Sequence, residues 1–498
     1  MKKTLRAVLA VLLCLTLLFT VSGTSTFADD GEVKPIEPEG KTPFRISVSM
    51  NGDSQTQRGF CWYTAEDCDS VVEITDASGS AVNARCEASS FEWEGYYAHK
   101  VTVSGLSAGE TYQYRVGDGE TFSDYGTFVT DDGDSSFSFI EIADVQATPL
   151  ENFLKAALTV DAAFDTLPEA EFIVNCGDFT NDSTNEEWNN YDTAFGKINQ
   201  STTIVPVAGN HDGFGVEYWF NNMFNLDTYG SVQVNDGVNY SFDYGNAHIA
   251  VLNTNDMMCM TLAQMQWLKN DMNSTSKDWK IAFMHKSPYT LGKDGKWPDA
   301  LYLGKSLTKV FDMCDVDLVM SGHDHMYLRT KPLTNNRVDE KNGVTYVLSG
   351  TAGTKRYEIR EFLAGFFLNT SFIDALTIQK NGYANYWNGE DWNSTKDTNI
   401  GGCFNTVTVD GGTLTVKSYI RCDETGEVNE IDSFSLTKET GKNKATFSGD
   451  NTTSEFEYYL SLVPSFLCLA VYAFGEWLPK FLIDLPYILY VVITQDTF

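Results

Sequence analysis

The chain is poor in positive charge: 35 Lys and Arg stand against 68 Asp and Glu in 498 residues, a net charge of −33. Nucleic-acid binding draws its affinity from clustered cations that displace phosphate counterions, so this composition gives no reason to expect a nucleic-acid partner. Any phosphate group the protein handles must be held by cations fixed inside a pocket, against the field of the surface. Among its ten cysteines there is no CxxC pair, which argues against a thiolate zinc site. Histidine is scarcer still, with six in all. Two of those six sit one residue apart in VMSGHDHMYLR, directly after an apolar run.

What is present reads as an exported, multidomain chain. The segment MKKTLRAVLAVLLCLTLLFTVSGTSTFA places Lys2, Lys3 and Arg6 before an apolar stretch and ends in small residues, the pattern of a secretory signal peptide over residues 1–28. Leu13 is too large to precede a lipidated Cys14, which favours soluble export over a lipid anchor. Cleavage would leave 32 basic against 68 acidic residues, a net charge of −36. It would also leave nine cysteines, with Cys61, Cys68 and Cys86, or Cys403 with Cys422, as disulfide candidates, and Cys176 and Cys259 as buried free thiols.

Residues 29–43 are acidic and proline-rich, as in a linker. Over residues 44–131 short alternating segments (RISVSM, GFCWYT, VVEIT, AHKVTVSG, TYQYRVGD, YGTFVT) separated by Gly, Asp and Ser predict a small antiparallel sandwich. Its His99 reads as a surface strand residue. After the DDGDSS break the pattern changes. FSFIEI, EFIVNC, TIVPVAG, HIAVLN, KIAFMH and VDLVMSG read as core strands, and LENFLKAALTVDAAFD and LAQMQWLKNDM as amphipathic helices of an α/β domain over residues 136–440. GVTYVLSGTAG and FNTVTVDGGTLTVKSYI add strands able to close a second sheet. Residues 441–498 form a linker and an apolar tail. Its stretch 458–494 is interrupted by Pro464, Pro479 and Pro486 and suits peripheral membrane contact or packing on the protein's own surface better than a span.

The chemistry gathers where the core strands end. FSFIEI leads into Asp144 and Gln146, EFIVNC into Gly177-Asp178, TIVPVA into Gly209-Asn210-His211-Asp212, KIAFM into His285, and VDLVMSG into His323 and His325. Taken singly, each has a structural explanation: Asp144 and Asp178 can cap helices, GNHD can be a turn, and His285 can be a core histidine. His248, inside HIAVLN, reads as structural. Capping does not require five strand ends to carry coordinating atoms, and open α/β sheets collect ligand sites at the carboxyl ends of their strands. The paired histidines suit two adjacent metal ions. Carboxylate, amide and imidazole donors without thiolate suit manganese, iron or zinc and leave the choice among them open.

The ordered series Asp144, Asp178, Asn210-His211-Asp212, His285 and Gly322-His323-Asp324-His325 resembles the calcineurin-like metallophosphoesterase superfamily, and within it the bacterial relatives of purple acid phosphatases. YSFDYGNAHIAVLNT, QWLKND and GHDHMYLR support the likeness, as does GLSAGETYQYRVGD, which is similar to the fibronectin-type domain that precedes the catalytic domain in such phosphatases. The resemblance covers residues 41–420 and implies a β-sandwich followed by a two-sheet αββα domain, of α/β (α+β) class. It implies that Asp178 bridges two ions, that Asp144, Gln146 and His325 complete one site, and that Asn210, His285 and His323 complete the other. By the same likeness His211 protonates the leaving oxygen, Asp212 orients that imidazole, and Asn210 meets substrate. Tyr327 and Arg329 either touch substrate or support the histidine loop.

The reaction implied is hydrolysis of a small phosphoester by a metal-bridging hydroxide, in a secreted acid phosphatase-like phosphomonoesterase. A phosphodiesterase or nucleotide hydrolase could use the same centre, and an envelope binding protein with an inert scaffold would be expected to have lost ligand positions. The purple members carry a tyrosinate three residues after the bridging Asp, where this chain has Asn181. The metal-loaded protein is therefore expected to be colourless. A visible absorption spectrum of the iron-loaded form checks this, and a charge-transfer band would contradict it.

Overall fold

The computed structural model describes residues 33–213, 219–228, 230–232, 238–255, 260–290, 292, 298–335, 337–339, 341–357 and 400–438. The signal segment and the apolar tail expected from the sequence lie outside the described residues. Among those described, no helix is long and apolar enough to cross a membrane.

The amino-terminal layer holds β1 (Phe44–Ser49), β2 (Gln57–Thr64), β3 (Val71–Thr75), β4 (Arg85–Trp93), β5 (Tyr96–Ser104), β6 (Thr111–Gly117) and β7 (Gly126–Val129). Strands β3, β6 and β7 form one small sheet. The other four run in the order β1-β2-β5-β4 and do not stop at a domain boundary, because β1 pairs in parallel with β10 (Thr203–Pro206). The result is a ten-stranded sheet, β21-β20-β19-β8-β9-β10-β1-β2-β5-β4. It includes β8 (Ser136–Ile142), β9 (Phe172–Asn175), β19 (Ile400–Asp410), β20 (Thr413–Cys422) and β21 (Val428–Thr437).

The second large sheet, β11-β12-β13-β14-β18-β15, is built from β11 (Tyr240–Tyr244), β12 (Ala247–Leu252), β13 (Trp279–Lys286), β14 (Leu318–Gly322), β15 (Tyr327–Arg329) and β18 (Thr345–Ser349). A two-stranded ribbon, β16 (Leu333–Thr334) with β17 (Arg337–Val338), lies between β15 and β18 in the chain. Strand alternation in β8 explains the layering. Phe137 and Phe139 face the second sheet, while Ile140 and Ile142 face helices. Between the sheets Phe139 stacks on Phe172 at 4.8 Å and meets Phe283 edge-on at 5.8 Å. On the opposite face lie α1 (Leu150–Thr166) and α2 (Asn185–Ser201). The buried apolar positions of α1, Phe153, Ala156, Ala157, Val160 and Ala163, follow the spacing of one helical face.

α2 starts where Thr184 Oγ1 accepts from the Glu187 amide. The short α3 (Trp219–Met223) follows the Asn210 loop. α4 (Leu262–Ser274) opens with a full capping box from Thr261 and Gln264, and α5 (Pro298–Lys305) and α6 (Leu307–Met313) complete the helices.

Three expectations change. β4 was not legible because its side chains are largely exposed, which removes the apolar alternation that marks a strand. His99 is buried rather than on the surface: its ring stacks on Trp62 at 5.1 Å, and its nitrogens meet Ser70 and Thr64 hydroxyls at 2.8 and 2.9 Å. Cys61, Cys68, Cys86, Cys403 and Cys422 are all free thiols, so neither candidate disulfide forms. Cys61 is sealed in the core against the Asn222 carbonyl, while Cys86 is exposed. Cys176 is a buried free thiol, as expected; Cys259 lies outside the described residues. Of the late strands, β18 joins the second sheet, whereas β19 and β20 extend the first.

His248 is structural. Its Nδ1 meets Asp243 at 2.7 Å and its Nε2 meets Asp271 at 2.8 Å, tying the β11–β12 hairpin to α4. Burial alone would lower its pKa, but the two carboxylates outweigh that and hold it at about 9. A raised folded-state value means that the stabilisation is full below the unfolded value near 6.5 and is lost as pH rises through about 9. His248→Ala is expected to cost about 2 kcal/mol at pH 6. Urea denaturation should show that deficit shrinking between pH 7 and pH 10.

Candidate metal centre

β8, β9 and β10 run parallel to one another, as do β12, β13, β14 and β18, so each sheet directs its carboxyl ends to a single rim. Asp144 and Gln146 follow β8, Asp178 follows β9, Asn210 to Asp212 follow β10, His285 is the penultimate residue of β13, and His323 and His325 follow β14. Pairing continues past the strands: the Asp144 amide donates to the Gly177 carbonyl at 3.0 Å, and the Gln146 amide to the Asp178 carbonyl at 2.8 Å. The backbone here is strained. Asp144, Gln146, Asp178, His323 and His325 all have positive φ, 54°, 32°, 56°, 79° and 39°, a conformation costly for non-glycine residues and concentrated at functional sites.

Two small residues permit the close approach. A Cβ on Gly209 would lie 2.1 Å from the Asp178 amide nitrogen, and one on Gly322 would lie 2.8 Å from Asp144 Oδ2.

Donor atoms converge in two groups. Asp178, His285 and His323 form one, Asp144, Asp178 and His325 the other, with the donor atoms of each group within 4.8 Å of one another. Asp178 belongs to both. His285 Nδ1 donates to the Cys176 carbonyl at 2.8 Å and His325 Nδ1 donates to the Lys355 carbonyl at 2.7 Å. Because a carbonyl can only accept, each Nδ1 carries the hydrogen and each Nε2 is turned inward as the donor atom. His285 Nε2 lies 3.3 Å from Asp178 Oδ1 and 3.0 Å from Asn210 Oδ1, and His325 Nε2 lies 3.7 Å from Asp144 Oδ1. His323 meets His285 edge-on at 5.0 Å. Its amide is held by both oxygens of Asp144 at 2.9 Å.

The electrostatics ask for positive charge. Burial pushes the Asp144 carboxyl well above the usual range. Asp178 is equally buried, but His285, His211 and His323 together pull it below that range. Burial would lower His285, yet Asp178 and Asp144 raise it. His323 is driven well below its ordinary value, by burial first and then by His285, and His325 is driven to about 3, chiefly by burial. With protein groups alone, an imidazolium on His285 partners Asp178 while the other two imidazoles stay neutral. Two buried carboxylates and three imidazoles make a donor set able to hold metal ions.

These donors border a cavity of about 190 Å³ lined by Gln146, Asp178, Asn210, His211, His323, His325 and Tyr357. His211 stands at its edge with Nδ1 donating to the Asn181 carbonyl at 2.6 Å. The orienting role expected of Asp212 therefore falls to that carbonyl. Asp212 instead accepts from the backbone amides of Asp178, Phe179 and Gly209 at 3.0, 2.7 and 2.7 Å, and so clamps the Asp178 loop to the Asn210 loop. Tyr327 and Arg329 are not brought to the cavity. The Tyr327 hydroxyl donates to Asp432 at 2.8 Å, and Arg329 grips the same carboxylate from Nε at 2.6 Å and its terminal nitrogen at 3.1 Å. They support the histidine loop from β21, the other of the two readings left open by the sequence.

Sequence reasoning missed Lys355 and Tyr357. Tyr357 stacks on His325 at 4.4 Å. The signal was a sixth strand end, TYVLS running into the small-residue loop GTAGT, which carries no ligand of its own.

Residues 137–327 match the calcineurin-like phosphoesterase family, and residues 43–130 match the purple acid phosphatase N-terminal domain. The chain carries a calcineurin-like phosphoesterase domain preceded by a purple acid phosphatase N-terminal domain. Among its relatives, purple acid phosphatase 18 of Arabidopsis thaliana is 22% identical over 379 residues, covering 71% of this chain and 83% of the relative. Acid phosphatase type 7 of Danio rerio is 23% identical, covering 60% and 74%. In fold, this metallophosphoesterase is similar to a purple acid phosphatase from yellow lupin seeds, with TM-score 0.59 and 16% identity over 80% of this chain and 75% of that one. It is also similar to PhoD, with TM-score 0.56 and 12% identity over 87% and 99%. The family implies a dinuclear metal centre, and the two donor groups that share Asp178 fit one.

Arg329→Met should lower stability by about 1 to 3 kcal/mol through loss of a half-buried charge pair and its stacking on Phe434. KM for a phosphoester should stay within about twofold of wild type, since the side chain points away from the cavity. Denaturation and steady-state kinetics on the same preparation check the two halves.

Proposed function

We propose that the protein is an exported, acid phosphatase-like phosphomonoesterase. The observation that carries this reading is the pair of donor groups joined through Asp178 beneath a small polar cavity with an imidazole at its edge. Asp144, Gln146, Asp178 and His325 would hold one ion, and Asp178, Asn210, His285 and His323 the other. Bound there, two cations would neutralise the phosphoryl oxygens and make water a competent nucleophile near neutral pH.

The chain's own groups supply the rest. Cys176 and Lys355 fix two imidazoles by their carbonyls, so the donor atoms need no reordering when charge develops. Asp212 holds the loops carrying Asp178 and Asn210 at a fixed separation. His211 has its Nδ1 hydrogen committed to Asn181, which leaves Nε2 as the position that holds a proton for the leaving oxygen. Phosphoryl transfer depends on such positioning more than on covalent help. Export is supported by the amino-terminal apolar segment with its basic start. The physiological metal is manganese, iron or zinc.

The test uses the protein stripped by chelation and reloaded with each metal in turn, assayed on an aryl phosphomonoester and an aryl phosphodiester. Faster monoester turnover is expected with at least one metal. Faster diester cleavage would replace the phosphomonoesterase by a phosphodiesterase, and no turnover with any metal would remove the catalytic reading. His211→Ala should reduce kcat by about a hundredfold while leaving metal content intact. Elemental analysis beside the kinetics separates that role from ligation.

A further inference from the structure

A phosphomonoester approaches a dianion at neutral pH, and the protein around it is strongly acidic. The lining of the cavity offers imidazoles, amides, a carboxylate and a phenol, but no lysine or arginine among the described residues. Immediately behind that lining stands Lys355. Its Nζ donates to Gln146 Oε1 at 2.9 Å and lies 5.7 Å from the centre of the Tyr357 ring. The segment bearing it is locked to the histidine loop by three contacts. The Lys355 carbonyl accepts from His325 Nδ1, the Tyr357 amide donates to the His325 carbonyl at 3.4 Å, and the Tyr357 ring stacks on the imidazole. The ammonium is thereby carried on a four-carbon tether whose root is anchored.

Its partner is equally suggestive. Gln146 holds a left-handed backbone, and its Nε2 is buried without a hydrogen-bond partner while Oε1 is engaged by Lys355. A buried amide left half satisfied marks a site whose complement of partners is incomplete. If Oε1 serves an ion, Lys355 must share it or turn elsewhere, and both groups that its ammonium meets, Gln146 and Tyr357, line the cavity.

We propose that Lys355 is a substrate-binding residue that contacts a non-bridging phosphoryl oxygen and reads the second negative charge of a monoester, which a diester lacks. This rests on the phosphomonoesterase reading of the same site. Lys286, next to His285 at the end of β13, is the other lysine whose charge is felt at the centre, on the side of His323. It lacks the tie to Gln146 and serves as the comparison.

The test compares full-length, metal-loaded wild type, Lys355→Met and Lys286→Met. It measures metal content by elemental analysis, affinity for inorganic phosphate by calorimetry, and kcat/KM for an aryl monoester and the matching diester. Lys355→Met is expected to keep its metal, to bind phosphate about ten- to a hundredfold more weakly, and to lose monoester kcat/KM by a similar factor through KM. Diester kcat/KM should change by less than about threefold, since the lost charge has no counterpart there. Unchanged phosphate affinity, equal losses on both esters, loss of metal from Lys355→Met, or the same pattern in Lys286→Met instead would each overturn the assignment. A wild type that prefers diesters would refute the phosphomonoesterase reading, while the phosphate titration would still decide whether Lys355 binds the anion.

Discussion

Asp178 is a carboxylate placed where it cannot be tolerated alone. It is buried, its backbone is in a left-handed conformation, and its Oδ1 receives the His211 amide at 2.8 Å while facing His285 Nε2 at 3.3 Å. Burying an unpaired charge costs several kcal/mol, so the surroundings must supply compensating positive charge at a defined point. The folding of both sheets serves that requirement. Parallel strands bring the ligand loops to one rim, glycines allow the loops to touch, and Asp212 fastens two of them together through backbone amides. The acids and imidazoles, each poor as a buried group by itself, become mutually stabilising when a cation lies between them.

How much of this could be read beforehand follows from what each element needs. The core strands of the α/β domain are buried on both faces, so their sequences are nearly continuous apolar runs, and the residue that breaks each run is conspicuous. That is why Asp144, Asp178, Asn210, His285, His323 and His325 stand out in the chain alone as candidates, and the structure brings them to one rim. The six-histidine scarcity helped, since three of the six converge on the centre. Roles that depend on which way a side chain leaves the backbone were less legible. Asp212 adjoins His211 in sequence but spends its oxygens on amides, and Tyr327 and Arg329 adjoin the HDH segment yet face Asp432. Local sequence contains no trace of Asp432, more than a hundred residues away along the chain.

The same limit explains His99 and the cysteines. A lone histidine beside a lysine in an alternating strand resembles a surface residue until Trp62 is seen to cover it. Cysteine spacing permits bridges that the strands do not make. Lys355 was invisible for a different reason. It ends no apolar run, and its importance comes from the contacts of its carbonyl and its ammonium with groups drawn from two other loops.

The junction between β1 and β10 has an implication for how the molecule can be divided. The amino-terminal layer does more than extend a sheet: Ser49 and Asn51 hold the Asn225 carbonyl, Lys100 holds the Asn221 carbonyl at 2.6 Å, and Arg45 reaches Asn185 and Asn189 of α2. The segment 219–228 that it grips is also tied to the metal loop, since the Phe220 amide donates to the Asp212 carbonyl at 3.1 Å. Excising this layer would strip a neighbour from β10 and bare the edge of the sheet there, inviting other chains to add on. It would also slacken the loop that carries His211, so the layer is better regarded as a splint for the chemistry than as a detachable module.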